Sequence, residues 1–206
     1  MAKIAICGKM ASGKTTLAEY LVNEYHDTEK FSLANAVKRF ARFVYDIPEG
    51  HKDRVAFQKI GDGARKVLYE NIWIDTLLKE VKIHESINKL ENGNEGFVKN
   101  FIIDDVRYVN EVLELKDDGW IIVKLEIDED LQKKRLIDTY PKDWEIHFNA
   151  RNHPSETEID LITEDMVDLV ITSSNGNNIE EIIDTFLLPK INSDNYTQVL
   201  NMNPCL

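Results

Sequence analysis

The sequence predicts an α/β protein with three layers, in which a central parallel sheet carries helices on both faces. Short apolar runs of strand length alternate along the chain with amphipathic helical patterns. The apolar runs are nearly continuous, which is typical of parallel strands that helices cover on both sides. Their alternation with helices favours right-handed crossover connections. The predicted strands cover residues 3–7, 30–33, 101–103, 120–127 and 169–172.

Helical patterns fill the intervals between these strands. In the first helix Leu17, Leu21 and Tyr25 recur every four residues, which places them on one face. Asp128 and the two acids after it read as the acidic start of a later helix. Ser155 and Glu158 match a helix capping box. Further helices are predicted over residues 33–44, 54–70, 72–90 and 107–116. One face of the helix over 33–44 would consist of Leu33, Val37, Phe40, Ala41 and Val44.

Composition limits the class of protein. The chain has 206 residues, of which 43% are hydrophobic, enough for one elaborated domain with a core that needs no disulfides. Cys7 and Cys205 fit neither a disulfide framework nor a cysteine zinc site, so we expect a reducing compartment. The first apolar run breaks at Gly8, too early for a signal peptide, and no window is apolar enough to span a membrane. We therefore expect a cytoplasmic protein with no membrane partner.

The charge balance argues against nucleic acid as a partner. The chain carries 25 basic and 37 acidic residues, a formal net charge of −12. Proteins that coat nucleic acid neutralise its phosphates with many cations. A small anionic ligand is still compatible with this charge, because distant carboxylates are screened beyond about 8 Å at physiological salt.

Residues 8–15 read Gly-Lys-Met-Ala-Ser-Gly-Lys-Thr and match the phosphate-binding pattern G-x-x-x-x-G-K-[ST], between a predicted strand and a predicted helix. The glycines let backbone N–H groups turn inward onto a phosphate, and the helix adds the positive end of its dipole. Lys14 would reach the β and γ phosphates of ATP, and the Thr15 hydroxyl would bind Mg²⁺. The predicted ATP-binding residues here are Gly8, Lys9, Met10, Ala11, Ser12, Gly13, Lys14, Thr15 and Thr16.

A second carboxylate signal follows a buried strand. Residues 101–103 are apolar and lead into Asp104, an arrangement similar to the Walker B strand, whose carboxylate holds Mg²⁺ directly or through water. Apolar strands also end in Asp for reasons of turn chemistry. The phosphate loop elsewhere in the chain favours the metal interpretation, so Thr15 and Asp104 are the predicted Mg²⁺ ligands.

Several segments, taken in order, resemble the phage-type deoxynucleoside monophosphate kinases, which belong to the wider group of P-loop nucleoside monophosphate kinases. The resemblance spans most of the chain, and only the phosphate loop is highly specific. The other segments gain weight from their order and spacing. Besides the loop, the segments are 31–38, 58–61 with Arg65 and Trp73, 103–111, and 153–156 followed by 168–171.

The resemblance implies a single P-loop kinase domain over residues 1–191, with a helical acceptor-binding insertion at about 31–98 and a mobile lid at about 131–158. Residues 192–206 are polar and are expected to form a C-terminal tail. Arg65 is the first choice for the acceptor phosphate, because a guanidinium grips phosphate oxygens in two places. Arg39 reads as a solvated helix charge. Trp73 is a candidate for stacking on the base, although an aromatic at helical spacing is typical of a core. The implied acceptor-binding set is Ser32, Lys38, Arg65, Trp73, Asp105 and Arg107.

The remaining site residues lie near the carboxyl ends of strands or in the lid. Arg107 follows Asp104 by three residues, at the sheet edge where open α/β sheets bind ligands. Asp105 would either orient Arg107 or contact the base. By resemblance, lid arginines would close over the phosphates and exclude water, with a surface salt bridge as the alternative for Arg135. The turn at 173–176 would place Asn175 against adenine, or serve as a simple loop. The predicted catalytic residues are Lys14, Arg107, Arg135 and Arg151.

These motifs predict Mg²⁺- and ATP-dependent transfer of a phosphoryl group to a (deoxy)nucleoside 5′-monophosphate. The acceptor phosphate is itself a nucleophile, so positioning and charge neutralisation would supply most of the catalysis. One alternative is a kinase of another small phosphorylated acceptor, of the phosphomevalonate or dephospho-coenzyme A type. A GTP-binding switch is a further alternative, because residues 88–91 read Asn-Lys-Leu-Glu and resemble the guanine-reading N-K-x-D motif. The expected partners are small-molecule substrates in the cytoplasm, the host's if the chain is phage-encoded, and the sequence leaves open whether the chain forms a homodimer.

Overall fold

The structure is a computed structural model that describes residues 2–24, 27–48, 54–92, 99–173 and 185. The chain divides into two compact units. The first combines residues 1–30 and 99–206, and the second is Phe31–Val98. The predicted C-terminal tail, 192–206, lies outside the described residues.

A five-stranded parallel sheet forms the centre of the first unit, which confirms the predicted fold class. Its spatial order is β2-β3-β1-β4-β5. At the centre of the sheet Ile4 pairs with Ile102 on one side and with Ile121 on the other. The strands are β1 (Lys3–Gly8), β2 (Thr28–Phe31), β3 (Asn100–Val106), β4 (Ile121–Ile127) and β5 (Leu169–Ser173).

Apolar side chains from one face of the sheet pack against the first helix. Leu17 and Leu21 are fully buried there against Ile4, Ile6 and neighbouring strand residues. Burial of this kind is the main favourable contribution to folding, at roughly 25 cal/mol per Å² of apolar surface. On β1, Cys7 is also buried, and burial raises the pKa of its thiol to about 12. The thiol therefore stays protonated and acts as a packing group.

Eight α-helices are described, and several of the predicted boundaries are wrong. The helix predicted over 54–70 ends at Val67, and the strand predicted over 101–103 spans Asn100–Val106, so Asp104 lies within it. The second strand ends at Phe31 instead of Leu33, because Ser32 is extended and Leu33 begins a helix. The helix after β3 begins at Val109 instead of Arg107, because Tyr108 is extended and acts as its N-cap. The helices are α1 (Lys14–Glu24), α2 (Leu33–Tyr45), α3 (Arg54–Val67), α4 (Ile72–Asn92), α5 (Val109–Asp117), α6 (Glu129–Thr139), α7 (Trp144–Asn149) and α8 (Pro154–Thr157).

The second unit consists of α2, α3 and α4, which contact one another. On α2 the predicted apolar face is only partly buried, since Leu33, Val37 and Ala41 are buried whereas Phe40 and Val44 are exposed. The unit covers the same residues that the resemblance assigns to an acceptor-binding insertion, and its binding role stays a prediction.

No helix in the described ranges has the length and apolar character that a membrane crossing requires.

Candidate active site

The phosphate loop joins β1 to α1 through backbone conformations that favour glycine. Gly8 has φ +149° and Gly13 has φ +101°. A Cβ atom at Gly8 would lie 2.5 Å from the backbone oxygen of Leu125 on the neighbouring strand, closer than real Cβ atoms come. Ala11 also has a positive φ, 61°, which is uncommon for a residue with a side chain. The sequence therefore needs glycine at position 8 both for backbone freedom and for space.

Lys14 lies inside this loop. Its Nζ donates to the backbone oxygens of Gly8, at 2.8 Å, and Lys9, at 2.7 Å. Burial lowers the pKa of Lys14 from 10.5 to about 7, and the nearby charge of Arg107 acts in the same direction. The charges of Glu156 and Asp104 oppose this shift. A phosphate anion beside Lys14 would stabilise its charged form, so the loop has the chemistry of an anion site.

A hydroxyl in the loop also lacks a partner. Ser12 is fully buried, and its Oγ has no hydrogen-bond partner in the described part of the chain. Buried polar atoms are usually satisfied, and an orphaned one needs an explanation. A phosphate oxygen in the loop is one group that such a hydroxyl could serve, so the residues present fit a bound phosphate.

Asp104 lies on β3 near the loop and is almost fully buried. Its carboxylate forms an ion pair with the ammonium of Lys30, at 2.6 Å. Thr15 is exposed on the first turn of α1. Among the described residues no group of three or more acidic, histidine or cysteine side chains could hold a metal. Mg²⁺ is commonly held by one or two carboxylates together with substrate phosphates, so these oxygen donors fit that ion, and their role as ligands stays a prediction.

Arg107 follows β3 directly and is joined to the phosphate loop by a carboxylate. Glu156, on the short helix α8, forms an ion pair with Nη1 of Arg107 through Oε1. Its Oε2 accepts a hydrogen bond from the backbone N–H of Met10 at 2.7 Å. The backbone N–H groups of Arg107 and Tyr108 donate to Glu111, at 2.9 and 3.1 Å, which fixes the turn that carries Arg107. Arg107 therefore lies beside the loop, and its catalytic role stays a prediction.

The capping box predicted at residues 155–158 is wrong. The N-cap of α8 is His153, whose Nδ1 accepts from the backbone N–H of Ser155 at 3.2 Å. Ser155 lies within α8, and Glu158 begins the following 3₁₀ turn, Glu158–Leu161. Glu156, the third residue of α8, is buried.

Helix α6 supplies further contacts to the loop. Nε2 of Gln132 donates to the backbone oxygen of Met10 at 2.9 Å. One guanidinium nitrogen of Arg135 donates to the backbone oxygen of Ala11 at 3.0 Å. At the end of β5 the Ser173 hydroxyl donates to the backbone oxygen of Ser12 at 2.7 Å. Three side chains from distant parts of the chain thus bind the backbone oxygens of Met10, Ala11 and Ser12 and hold the loop in place.

Arg151 lies elsewhere in the first unit. It forms an ion pair with Glu129 at 2.5 Å, and its guanidinium lies 4.3 Å from the ring centroid of Phe148. Both partners of the ion pair are exposed. The catalytic role of Arg151 stays a prediction, and Asn175 lies outside the described residues.

The predicted acceptor-binding residues of the second unit lie on or next to α2, α3 and α4. Trp73 is only 4% exposed, and its indole N–H donates to the backbone oxygen of Gly61 at 3.0 Å. Trp73 therefore packs in the interior of the second unit. Its ring is not exposed for stacking on a base. Arg65 is half-buried next to Gly61, and Lys38 is half-buried on α2.

Three further residues were considered in or near the predicted acceptor site, namely Ser32, Arg39 and Asp105. Arg39 forms an exposed two-point contact with Glu80 at 2.6 and 2.7 Å, in line with its interpretation as a surface charge. Ser32 and Asp105 are half-buried, before α2 and on β3 respectively. Their binding roles, like those of Lys38 and Arg65, stay predictions.

Sequence reasoning missed three residues that contact the loop, namely Gln132, Glu156 and Ser173. No local spacing indicates such contacts, because each joins the loop across more than 120 residues. Glu156 lies in a segment that the family resemblance includes, and this is the one signal that could have drawn attention to it.

Comparison with solved structures shows the fold that this chain shares. A dephospho-CoA kinase from Campylobacter jejuni has a TM-score of 0.51 at 16% sequence identity, over 94% of this chain and 98% of that chain. A shikimate kinase from Bacteroides thetaiotaomicron has a TM-score of 0.50 at 12% identity, over 92% and 96%. An uncharacterised protein from Eubacterium ventriosum has a TM-score of 0.50 at 16% identity, over 93% and 98%. At these identities the likeness shows the fold alone, a central parallel sheet with flanking helices.

The sequence itself matches no protein-family model and no curated protein sequence.

Proposed function

We propose that this chain is a Mg²⁺- and ATP-dependent phosphotransferase that converts a (deoxy)nucleoside 5′-monophosphate into the diphosphate and releases ADP. The observation that carries the proposal is the phosphate loop with the Lys14 ammonium inside it and Arg107 tied beside it through Glu156. A loop with one cation inside and a guanidinium at its side suits two phosphate groups that must meet.

The chain's own groups divide the work of the reaction. The loop N–H groups and Lys14 bind the ATP phosphates, and Arg107 neutralises the second phosphate or the transferred group. Thr15 and Asp104 would hold Mg²⁺ together with the nucleotide, and the ion would neutralise charge on the β and γ phosphates. Arg135 adds positive charge from α6. Because the acceptor phosphate is already a nucleophile, these contacts serve to align and neutralise, and no side chain needs to act as a general base.

The second unit is the proposed acceptor site, with Arg65 and Lys38 as its cations. Support comes from the resemblance, which places the insertion at the residues of this unit. A second candidate function is phosphorylation of another small phosphorylated acceptor. The dephospho-CoA kinase with the same fold supports keeping this class of acceptor. The GTP-binding switch is disfavoured, because residues 88–91, which resemble a guanine-reading motif, lie within the helix α4.

An ADP-release assay over all common ribo- and deoxynucleoside monophosphates tests the proposal. Dephospho-coenzyme A, phosphomevalonate and shikimate serve as competing acceptors. At least one deoxynucleotide is expected to raise turnover far above the rate without acceptor. Lys14→Ala is expected to lower that turnover by about 100-fold or more, because it removes a cation that stabilises the transition state.

Lys134→Ala is the matched control, since Lys134 is exposed on α6. It should retain the wild-type rate. ADP release that no nucleotide stimulates would contradict the proposal, and a clear preference for dephospho-coenzyme A or phosphomevalonate would transfer it to the second candidate.

A further inference from the structure

Glu156 contacts two groups of the candidate site with one carboxylate. Its Oε2 accepts from the Met10 N–H of the phosphate loop at 2.7 Å, and its Oε1 pairs with Nη1 of Arg107. The carboxylate therefore bridges the loop and the arginine across separations of 146 and 49 residues along the chain. The phosphate-loop motif does not include Glu156, and neither the motif nor the predicted catalytic set assigns it a role.

The bridge is part of the protein interior. The Glu156 side chain is only 3% exposed, and Ile159 and Ile162, which follow it closely in the chain, are buried core residues. A buried carboxylate is costly unless it is paired and hydrogen-bonded, and both oxygens of Glu156 have partners. The position of the carboxylate is thus set by its two partners, Met10 and Arg107, inside the buried part of the first unit.

Arg107 has donors left for a ligand after this pairing. Its side chain is 23% exposed, and within the described ranges Nη1 is the only guanidinium nitrogen with a hydrogen-bond partner. The guanidinium of Arg107, like that of any arginine, carries five N–H donors in a planar fork. Glu156 therefore orients the fork through one nitrogen and leaves its remaining donors for a phosphate.

We infer that Glu156 is a positioning residue that holds Arg107 against the phosphate loop so that the arginine meets the transferred or accepted phosphate. The inference rests on the proposed function. The competing interpretation is that the carboxylate occupies the place of a phosphate and must leave before the ligand binds. The positioning role is favoured because the carboxylate is buried and both of its oxygens have partners, so vacating the site would break both contacts.

A double-mutant cycle with Glu156→Gln, Arg107→Gln and the double variant tests the inference. Glu156→Gln is expected to lower kcat by about 10- to 100-fold, because misplaced catalytic groups lose rates of this size, and to change KM for ATP by less than about threefold. The double variant is expected to have the kcat of Arg107→Gln within about twofold, because Glu156 acts through Arg107. Glu164→Gln, at an exposed carboxylate of the same unit, is the control and should retain the wild-type kcat.

Each departure from this pattern overturns the inference. An unchanged kcat in Glu156→Gln, a further tenfold loss in the double variant, or tighter ATP binding in Glu156→Gln would do so, and the last of these would support the competing interpretation. If Glu156→Gln fails to fold because Arg107 is left unpaired, the comparison of Arg107→Gln with the double variant still decides the question.

Hydrogen exchange gives a readout that needs no acceptor. Glu156→Ala is expected to speed exchange of the Met10 amide by about tenfold or more, because this variant removes its acceptor. Glu164→Ala should leave that amide unchanged, and equal exchange in the two variants would contradict the bridge. Absence of acceptor-dependent turnover in the wild-type protein would instead mean that the proposed function has failed.

Discussion

At the scale of the residue, Lys14 is held by the loop that it serves. Its ammonium donates to two backbone oxygens of the loop, and burial lowers its pKa to about 7. A triphosphate beside it would raise this pKa, because an opposite charge favours the charged form. Binding would therefore take up a proton whenever the solution pH is above the pKa of the free protein.

ATP affinity is accordingly expected to fall as pH rises above about 7, by up to about tenfold per pH unit. Isothermal titration calorimetry at pH 7, 8 and 9, in buffers of different ionisation enthalpy, measures both the affinity and the proton uptake. In Lys14→Arg the guanidinium stays charged, so that variant should bind with an affinity independent of pH over this range. A wild-type affinity that does not change between pH 7 and 9 would contradict the depressed pKa.

The same shift has a consequence for stability. Between about 7 and the ordinary value of 10.5, the unfolded chain binds a proton at Lys14 that the folded chain has lost. The contribution of Lys14 to the free energy of unfolding therefore rises with pH across this window. Below the pKa of the folded protein, burial of the charged ammonium lowers the free energy of unfolding by its full amount.

At the scale of the element, α6 has a capped N-terminus and contacts the phosphate loop one turn further on. The predicted acidic start is confirmed, since α6 begins at Glu129 and Asp128 is its N-cap. The Asp128 carboxylate accepts from the Leu131 N–H at 2.8 Å. One turn later the helix carries Gln132 and Arg135 onto the phosphate loop. The cap thus stabilises the element that delivers these two contacts.

Asp128→Ala is expected to lower the free energy of unfolding by about 1 kcal/mol, since it removes the hydrogen bond of the cap and a favourable charge at the helix N-terminus. Urea denaturation measures this difference. Asp128→Asn keeps the hydrogen bond and should lose less. An Asp128→Ala protein as stable as the wild type would show that the cap contributes nothing.

At the scale of the whole molecule, the sheet and α1 share the core on which the site is built. Leu21 is fully buried in that core, together with Ile4 and Ile6 of the strand that leads into the loop. The core therefore fixes both ends of the phosphate loop, through β1 before it and α1 after it.

Leu21→Ala is expected to lower the free energy of unfolding by about 2–5 kcal/mol, because it leaves a cavity in the core. Leu113→Ala is the control, since Leu113 is half-exposed on α5, and it should cost less than about 1 kcal/mol. The comparison is made by urea denaturation of both variants. Equal losses would mean that burial against the sheet does not dominate stability at position 21.

Sequence reasoning predicted the parts of this molecule that local patterns encode. The apolar runs predicted the parallel sheet, and the spacing of Gly8, Gly13 and Lys14 predicted the phosphate loop. The second strand was predicted two residues too late, because residues 28–31 and 30–33 are both compatible with a strand. In the structure the strand ends at Phe31, and Ser32 is the extended N-cap of α2. Glu156 could not be predicted, because its partners come together only when the chain folds.

The space between β1 and β4 has a consequence for any attempt to redesign the chain. At Gly8 the neighbouring strand comes so near that a single methyl group would collide with the backbone oxygen of Leu125. Replacing this glycine would therefore spread two central strands apart as well as deform the loop. Stability and activity therefore both depend on Gly8, and variants at position 8 in a mutational library would lose both together.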